Sequence, residues 1–335
     1  MIKNSALSGF ACIMLMSLGG CDSQIYDDLE PCHTDHYLKF RYDYNMKFAD
    51  AFPSEVVSVA VWAFDTDGRL AWQHQETGEG LSSVDYRVEF PLAPGKYDFV
   101  TWCGYSSDSP FKLDSETPRS ISELGMTLTR QDQALSGLYH DIRKGVEITD
   151  NPNTAGDVEI VFSLTKDTNY FKILLQNLDG TEMKEDDFSF RITRGNCRLE
   201  YDNSIGNGET ADYLPWKVTA SEATIAEDAD VSEGTVTSVS GVLAELHTSR
   251  LMADARYRLV VTRNDDLKEI INIPLIDYLL LIKGNYRRMT DQEYLDRQDE
   301  FSMTFFLDKN NNWMNSIGIY VNAWHVVPPQ DTPLE

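Results

Sequence analysis

The residue with the most specific chemistry is Cys21. It closes the run Leu18-Gly19-Gly20-Cys21, which looks like a bacterial lipobox: a leucine, two small residues that let a peptidase approach the backbone, then a cysteine. Its thiol would take a diacylglyceryl group before cleavage between Gly20 and Cys21. The upstream residues fit that reading. Lys3 supplies the positive start, no acidic residue precedes Asp22, and Ala6 to Leu18 is an apolar run. That run has the length of a signal h-region and is too short to cross a bilayer. A thioether-linked diacylglyceryl group plus an N-acyl (palmitate-type) chain holds a protein durably, because more than one acyl chain is needed for stable attachment. An ordinary buried helix is the competing reading, and Asp22, Asp27, Asp28 and Glu30 directly after the cysteine oppose it. They suit a solvated tether.

No other stretch commits to chemistry. The chain lacks a GxSxG nucleophile elbow, a phosphate loop, an HExxH helix and a dinucleotide fingerprint. The expectation is therefore a protein without catalytic residues, metal or cofactor. Asp308-Lys309-Asn310-Asn311-Asn312 starts like a calcium loop. However, Trp313 stands where the sharp turn needs glycine, and Ile319 where a bidentate carboxylate belongs, so a hairpin turn is expected. Asp65-Thr66-Asp67-Gly68 fails the same comparison. His33 and His36 have the spacing of a helical metal pair, yet Pro31 and the adjoining strand favour a loop. His74, His140, His247 and His325 have no partner nearby in sequence. Trp62, Trp72, Trp102, Trp216, Trp313 and Trp324 could build a sugar-stacking platform, but most lie in alternating strands, which favours core packing.

Charge narrows the partners. The chain carries a net charge of −25, and loss of residues 1–20 removes only Lys3, making it −26. Such a surface excludes nucleic acid and electrostatic attachment to anionic head groups. After Cys12 leaves with the signal and Cys21 takes lipid, Cys32, Cys103 and Cys197 remain. An odd number without CxxC spacing indicates neither a disulfide framework nor a zinc site. A Cys32–Cys103 bridge stays open if both lie in one domain.

The elements that must carry these residues are strands. Period-two alternation dominates: Leu38, Phe40, Tyr42 and Tyr44 share one face, and Val57 to Phe64 look covered on both. Asp65 to Gly68 turns the chain into Leu70 and Trp72. Val84 to Leu92 alternates, Pro94-Gly95 has the residues of a type II turn, and Tyr97 to Trp102 is expected to return as a hairpin partner. Residues 106–156 look like long connections with one or two short strands. Val158 to Leu164 and Tyr170 to Leu175 resume the pattern. Phe188 to Ile192 and Cys197 to Tyr201 are expected to pair around Arg194-Gly195-Asn196. Asn203 to Gly208 and Ala220 to Glu233 are expected loops. Tyr257 to Val261 turns at Asn264 to Asp266 into Ile270 to Ile273, and Pro274 opens a short helix. Ser302 to Leu307 and Ile317 to Val327 close as a hairpin. The fold class is all-β, with many short strands suggesting one sandwich per half. The expected divisions are a signal peptide over 1–20, an acidic tether over 21–32, sandwiches over 33–155 and 156–328, and a tail over 329–335.

Assembled in order, several segments resemble the FimB/Mfa-type fimbrial anchor (minor fimbrial subunit) lipoproteins of Gram-negative anaerobes. They include Ile25-Tyr26-Asp27-Asp28-Leu29 with Pro31-Cys32, Leu38 to Tyr44, and Ala49-Asp50-Ala51-Phe52 running into Val56 to Gly68. Further pieces are Leu92-Ala93-Pro94-Gly95-Lys96-Tyr97 with Trp102, Leu164 to Leu175, Arg250-Leu251, Ile273-Pro274-Leu275-Ile276 and Val321-Asn322-Ala323-Trp324. Each is weak alone; their order from lipobox to closing strand is what is specific. The acidic tether is similar to the export signals of some surface lipoproteins. The resemblance implies two tandem transthyretin-like β-sandwiches, attachment to the outer membrane through the lipid on Cys21, and exposure at the cell surface. It implies a structural role anchoring or terminating a fimbria (pilus) in cell adhesion, with stalk or accessory subunits as partners. Docking would be by β-strand complementation, in which one chain's strand completes a neighbour's open sheet edge. Three prolines after Trp324 make the C-terminal tail a poor donor, which favours this chain as acceptor or terminal subunit. The competing function is a surface glycan-binding lipoprotein, marked by two or more tryptophans exposed on one face.

Overall fold

The computed structural model describes residues 35–106, 108–149, 157–207, 210–224 and 238–326. Gly20, Cys21, the acidic tether with Cys32, His33 and the 329–335 tail lie outside the described residues.

The first half begins with β1 (His36–Arg41), α1 (Phe52–Glu55), β2 (Ser58–Phe64), β3 (Leu70–Thr77), β4 (Arg87–Glu89) and β5 (Gly95–Cys103). It continues with β6 (Phe111–Leu113), β7 (Met126–Leu128), β8 (Tyr139–Ile148), β9 (Val158–Ser163) and β10 (Thr165–Lys166). Two sheets face each other, in the orders β4-β1-β9 and β10-β8-β5-β2-β3. Between them pack Leu38, Phe40, Val59, Val61, Ala63, Phe99 and Phe162. Phe40 lies against Phe162 at 5.3 Å between centroids, because β1 and β9 run parallel with those two residues in register.

The second half holds β11 (Thr168–Asn177), β12 (Phe188–Asn196), β13 (Arg198–Leu199), β14 (Thr210–Tyr213), β15 (Pro215–Thr224) and β16 (Ser238–Ser249). After β17 (Arg258–Arg263) and β18 (Lys268–Pro274) come two helices, α2 (Leu275–Leu281) and α3 (Asp291–Arg297). The strands β19 (Glu300–Leu307), β20 (Ile319–Val321) and β21 (Trp324–Val326) close the chain. A six-stranded sheet, β15-β16-β11-β19-β20-β21, packs on a four-stranded one, β14-β12-β17-β18. The architecture is all-β, built of sandwiches, as the alternation implied.

β2 is buried along its whole length, as its two apolar faces predict. Val59, Val61 and Ala63 point into the first sandwich. Ala60, Trp62 and Phe64 point the other way, into a second core that runs continuously into the other half. The β17–β18 hairpin, the helix after Pro274 and the β19–β20 pairing also form where the pattern put them.

Three expectations need correction. The alternating segments flanking Pro94-Gly95 are not hairpin partners: β4 pairs with β1, and β5 pairs with β2 and β8. Pro94-Gly95 instead carries the chain between the two sheets of one sandwich, where Phe90 meets Phe99 edge-to-face at 5.6 Å. Likewise β12 pairs with β14 and β17, while β13 joins β7. β12 runs on through Arg194, which holds φ 60°, with a bulge in its pairing between Ile192 and Gly195. Finally, residues 220–224 belong to β15, which pairs with β16 over its whole length; the remainder of the expected 220–233 loop lies outside the described residues. β9 pairs with β1 and β10 with β8.

Candidate assembly interface

What joins the halves decides whether force can pass through the chain. β6 and β7 from the first half form a small sheet with β13 from the second, in the order β13-β7-β6. Arg198 clamps it by donating from Nη1 and Nη2 to Asp114, at 3.0 and 2.7 Å. Trp102, fully buried on the outer face of β5, donates its indole N–H to Leu124 O at 2.8 Å. It rests on His140, 4.4 Å away between centroids, and His140 Nε2 donates to Tyr201 O of the second half at 2.9 Å. Burial pushes the His140 pKa down to about 4.

Two ionic groups lock the same junction. Lys166 Nζ reaches Asp299 at 2.5 Å and Glu55 at 3.2 Å. Burial opposes its charge, yet the two carboxylates hold its pKa above the ordinary lysine value. Next to it, Asp167 is fully buried at the passage from β10 to β11. Its Oδ1 accepts from Asn203 at 2.8 Å, while Oδ2 has no hydrogen-bond partner among the described residues. Arg250 stands 3.9 Å from Asp167 and donates from Nε and Nη2 to Asp296, both at 2.8 Å. Desolvation outweighs Arg250 and pushes the Asp167 pKa up to about 7. These groups were invisible as a site in sequence, because they meet from positions 55, 166, 167, 203, 250, 296 and 299.

Among the described residues the sheets end at β3, β10, β4, β9, β14, β18, β15, β21, β13 and β6. A bare edge invites pairing, and proteins blunt edges with lysine, proline or shortness. β3 spans 8 residues, and its sequence LAWQHQET contains neither lysine nor proline. β15 spans 10 but opens with Pro215 and Lys217. β3 is thus the longest edge without either blunting residue.

The other candidates resolve as turns and packing. Asp308 Oδ1 accepts the backbone N–H groups of Asn310 and Asn312, at 2.8 and 2.9 Å. Asp65 Oδ1 does the same for Asp67 and Arg69, both at 2.9 Å, with Gly68 at φ 75°. Among the described residues no three His, Cys, Asp or Glu side chains cluster as metal ligands. His36 lies on β1 rather than a helix. Trp62 and Trp102 are core residues. Trp72 and Trp216 stack on His74 and His247, Trp313 meets Phe305 edge-on, and Trp324 is 60% exposed. No two tryptophans pair with each other among the described residues. Cys103 is a buried thiol, raised to about 12 by desolvation, while Cys32 lies outside the described residues. Among the described residues no helix is long and apolar enough to cross a membrane.

The sequence model of the fimbrillin-A associated anchor proteins Mfa1 and Mfa2 matches residues 29–327. The chain belongs to that family. No curated protein matches the anchor-family chain, but solved structures do. A proposed adhesin from Bacteroides thetaiotaomicron is 33% identical, with a TM-score of 0.75 over 90% of this chain and 99% of its own. A proposed polysaccharide-binding protein from the same organism is 27% identical, with a TM-score of 0.72 over 89% of this chain and 99% of its own. The fimbrial anchor protein Mfa2 from Porphyromonas gingivalis shares the fold at 16% identity, with a TM-score of 0.62 over 89% of this chain and 100% of its own. The family is one of fimbrial structural proteins rather than enzymes. Membership gives the chain a role at the cell surface, in fimbriae or adhesion.

Proposed function

We propose that this chain is a lipid-anchored structural subunit that holds or terminates a surface fimbria at the outer membrane. The observation that carries the reading is the family match over 29–327 directly downstream of Leu18-Gly19-Gly20-Cys21. Cleavage between Gly20 and Cys21 would leave the acylated cysteine as the first residue. The 14 residues from Asp22 to Asp35 could extend at most ~50 Å, at ~3.3–3.6 Å each, so the first sandwich would stand close to the membrane. We read the two halves as transthyretin-like sandwiches divided after β10. Their shared core and ionic junction suit a load-bearing part, since tension on one half passes into packed side chains rather than a linker.

The partners in this reading are fimbrial stalk or accessory subunits, docked by strand complementation at the β3 edge. A strand matching its 8 residues would run ~27 Å at ~3.4 Å per residue. Its ladder would satisfy backbone groups that otherwise invite aggregation. The test is binding of purified stalk subunit to this chain, with and without the stalk's terminal strand. Deletion should lower affinity at least ~100-fold, about 2.7 kcal/mol. Equal binding by the truncated stalk would overturn docking by complementation.

A further inference from the structure

A cleft of about 630 Å³ lies where the outer face of β17–β18 meets the segment between β19 and β20. Its floor is a chain of planar polar groups. Arg258 donates from Nε to the Asn272 side-chain oxygen and from Nη2 to Asn272 O at 2.8 Å. Asn272 Nδ2 donates to Glu269 at 2.8 Å, and the other Glu269 oxygen accepts from Arg191 at 2.8 Å. The facing wall presents Trp313 and Met314, with Asn315 and Ser316 on the rim.

Both walls are fixed. Lys268 Nζ donates to the Asn312 side chain at 2.8 Å, and Arg263 donates to Asn310 O at 2.5 Å. Trp313 is held edge-on to Phe305 at 5.7 Å and bridges Leu307 in a strand-like pair. A ligand entering this cleft would meet groups already in place, so little ordering opposes binding. Arg258 also lines a second hollow of about 490 Å³, together with Arg194 and Arg256.

The chemistry selects a class of ligand. An aromatic ring beside amide, carboxylate and guanidinium groups matches a pyranose, which has an apolar face and rows of hydroxyls that both donate and accept. The volume falls within the ~300–1,000 Å³ of small-ligand sites. The charged residues lining the main cleft are Arg258, Glu269 and Asp308, so no net positive charge is on offer. The chain's net charge of −25 repels polyanions further. We propose that this cleft binds a neutral saccharide unit within an extended glycan. Trp313 and Met314 would cover its apolar face, and Asn272, Glu269 and Arg258 would engage its hydroxyls. This binding is separate from anchoring and from the β3 edge.

The test is native affinity electrophoresis of the full chain through gels containing laminarin, yeast mannan, xylan, arabinogalactan or hyaluronate. At least one neutral polysaccharide should retard the chain, and hyaluronate should not. Trp313→Ala and Asn272→Ala should each weaken retardation about tenfold or more, while Trp313→Phe retains most of it and Trp324→Ala changes nothing. Asn315→Trp, on the exposed rim, closes the cleft without touching the core and should abolish retardation even if Trp313→Ala folds poorly. Migration unaffected by all four neutral polysaccharides overturns the proposal. So does retardation that survives Asn315→Trp, or retardation by hyaluronate alone. None of these outcomes bears on whether filaments are anchored.

Discussion

Replacing Asp167 with asparagine should stabilise the protein at pH 8 and leave it unchanged at pH 4. Asp167 is fully buried, and one carboxylate oxygen has no partner among the described residues. Its pKa rises from an ordinary ~3.9 to about 7 in the folded protein. A raised pKa means the folded state prefers the protonated acid. Its contribution to stability is fully present below about pH 4, declines as pH rises, and is lost above about pH 7. Some three pH units at ~1.36 kcal/mol each set a ceiling of ~4 kcal/mol; relaxation around Arg250 should leave about 1–3 kcal/mol. Asparagine mimics the protonated acid and keeps an acceptor for Asn203. His140 and His247 work in the opposite sense, because burial lowers both to about 4. Each removes stability as pH falls from ~6.5 towards about 4. The variant must therefore be compared with the parent at every pH, so that the histidine contributions cancel. Urea unfolding at half-unit intervals from pH 4 to 8.5 supplies that difference curve. A flat curve, or a variant less stable than the parent at pH 8, would refute the assignment of a desolvated carboxylate at the junction.

Other substitutions probe the same framework. Arg250→Ala leaves Asp296 and Asp167 buried without their cation and should cost about 3–5 kcal/mol, read as a shift in urea midpoint. Gly104→Ala should destabilise by at least about 2 kcal/mol, since Gly104 holds φ +78° and a Cβ there would lie 1.8 Å from Gly137 O. In thermal unfolding it should rank well above Gly68→Ala, where a Cβ meets nothing within 4 Å. Trp102→Phe removes the donor to Leu124 O and should cost about 1–3 kcal/mol. Because the core shared by the halves stays continuous, both halves should still unfold in one transition.

Much of the fold was legible because alternation reports which faces are buried. Val57 to Phe64 showed two apolar faces, and the structure buries both from Ser58 to Phe64 while Val57 stays exposed. Asn264 to Asp266 and Asp308 to Asn312 looked like turns and are turns. Alternation does not report which strand lies alongside. Val88 and Phe90 line the same core as Phe99, yet β4 and β5 belong to opposite sheets, and no local signal separates a hairpin from a crossing between layers. β15 was missed because its run KVTASEAT is mostly small or polar, as an edge strand with one wet face can be. β8 was underestimated because Asp141, Arg143, Lys144 and Glu147 interrupt its apolar pattern. The junction was not legible at all, since its charges lie far apart in sequence.

The anchoring claim rests finally on Cys21. The direct measurement is Cys21→Ala in the native cell, counting filaments on cells and in the medium. The account predicts that filaments move into the medium while their total number stays similar. Filaments that remain on the cells in parental numbers would contradict it.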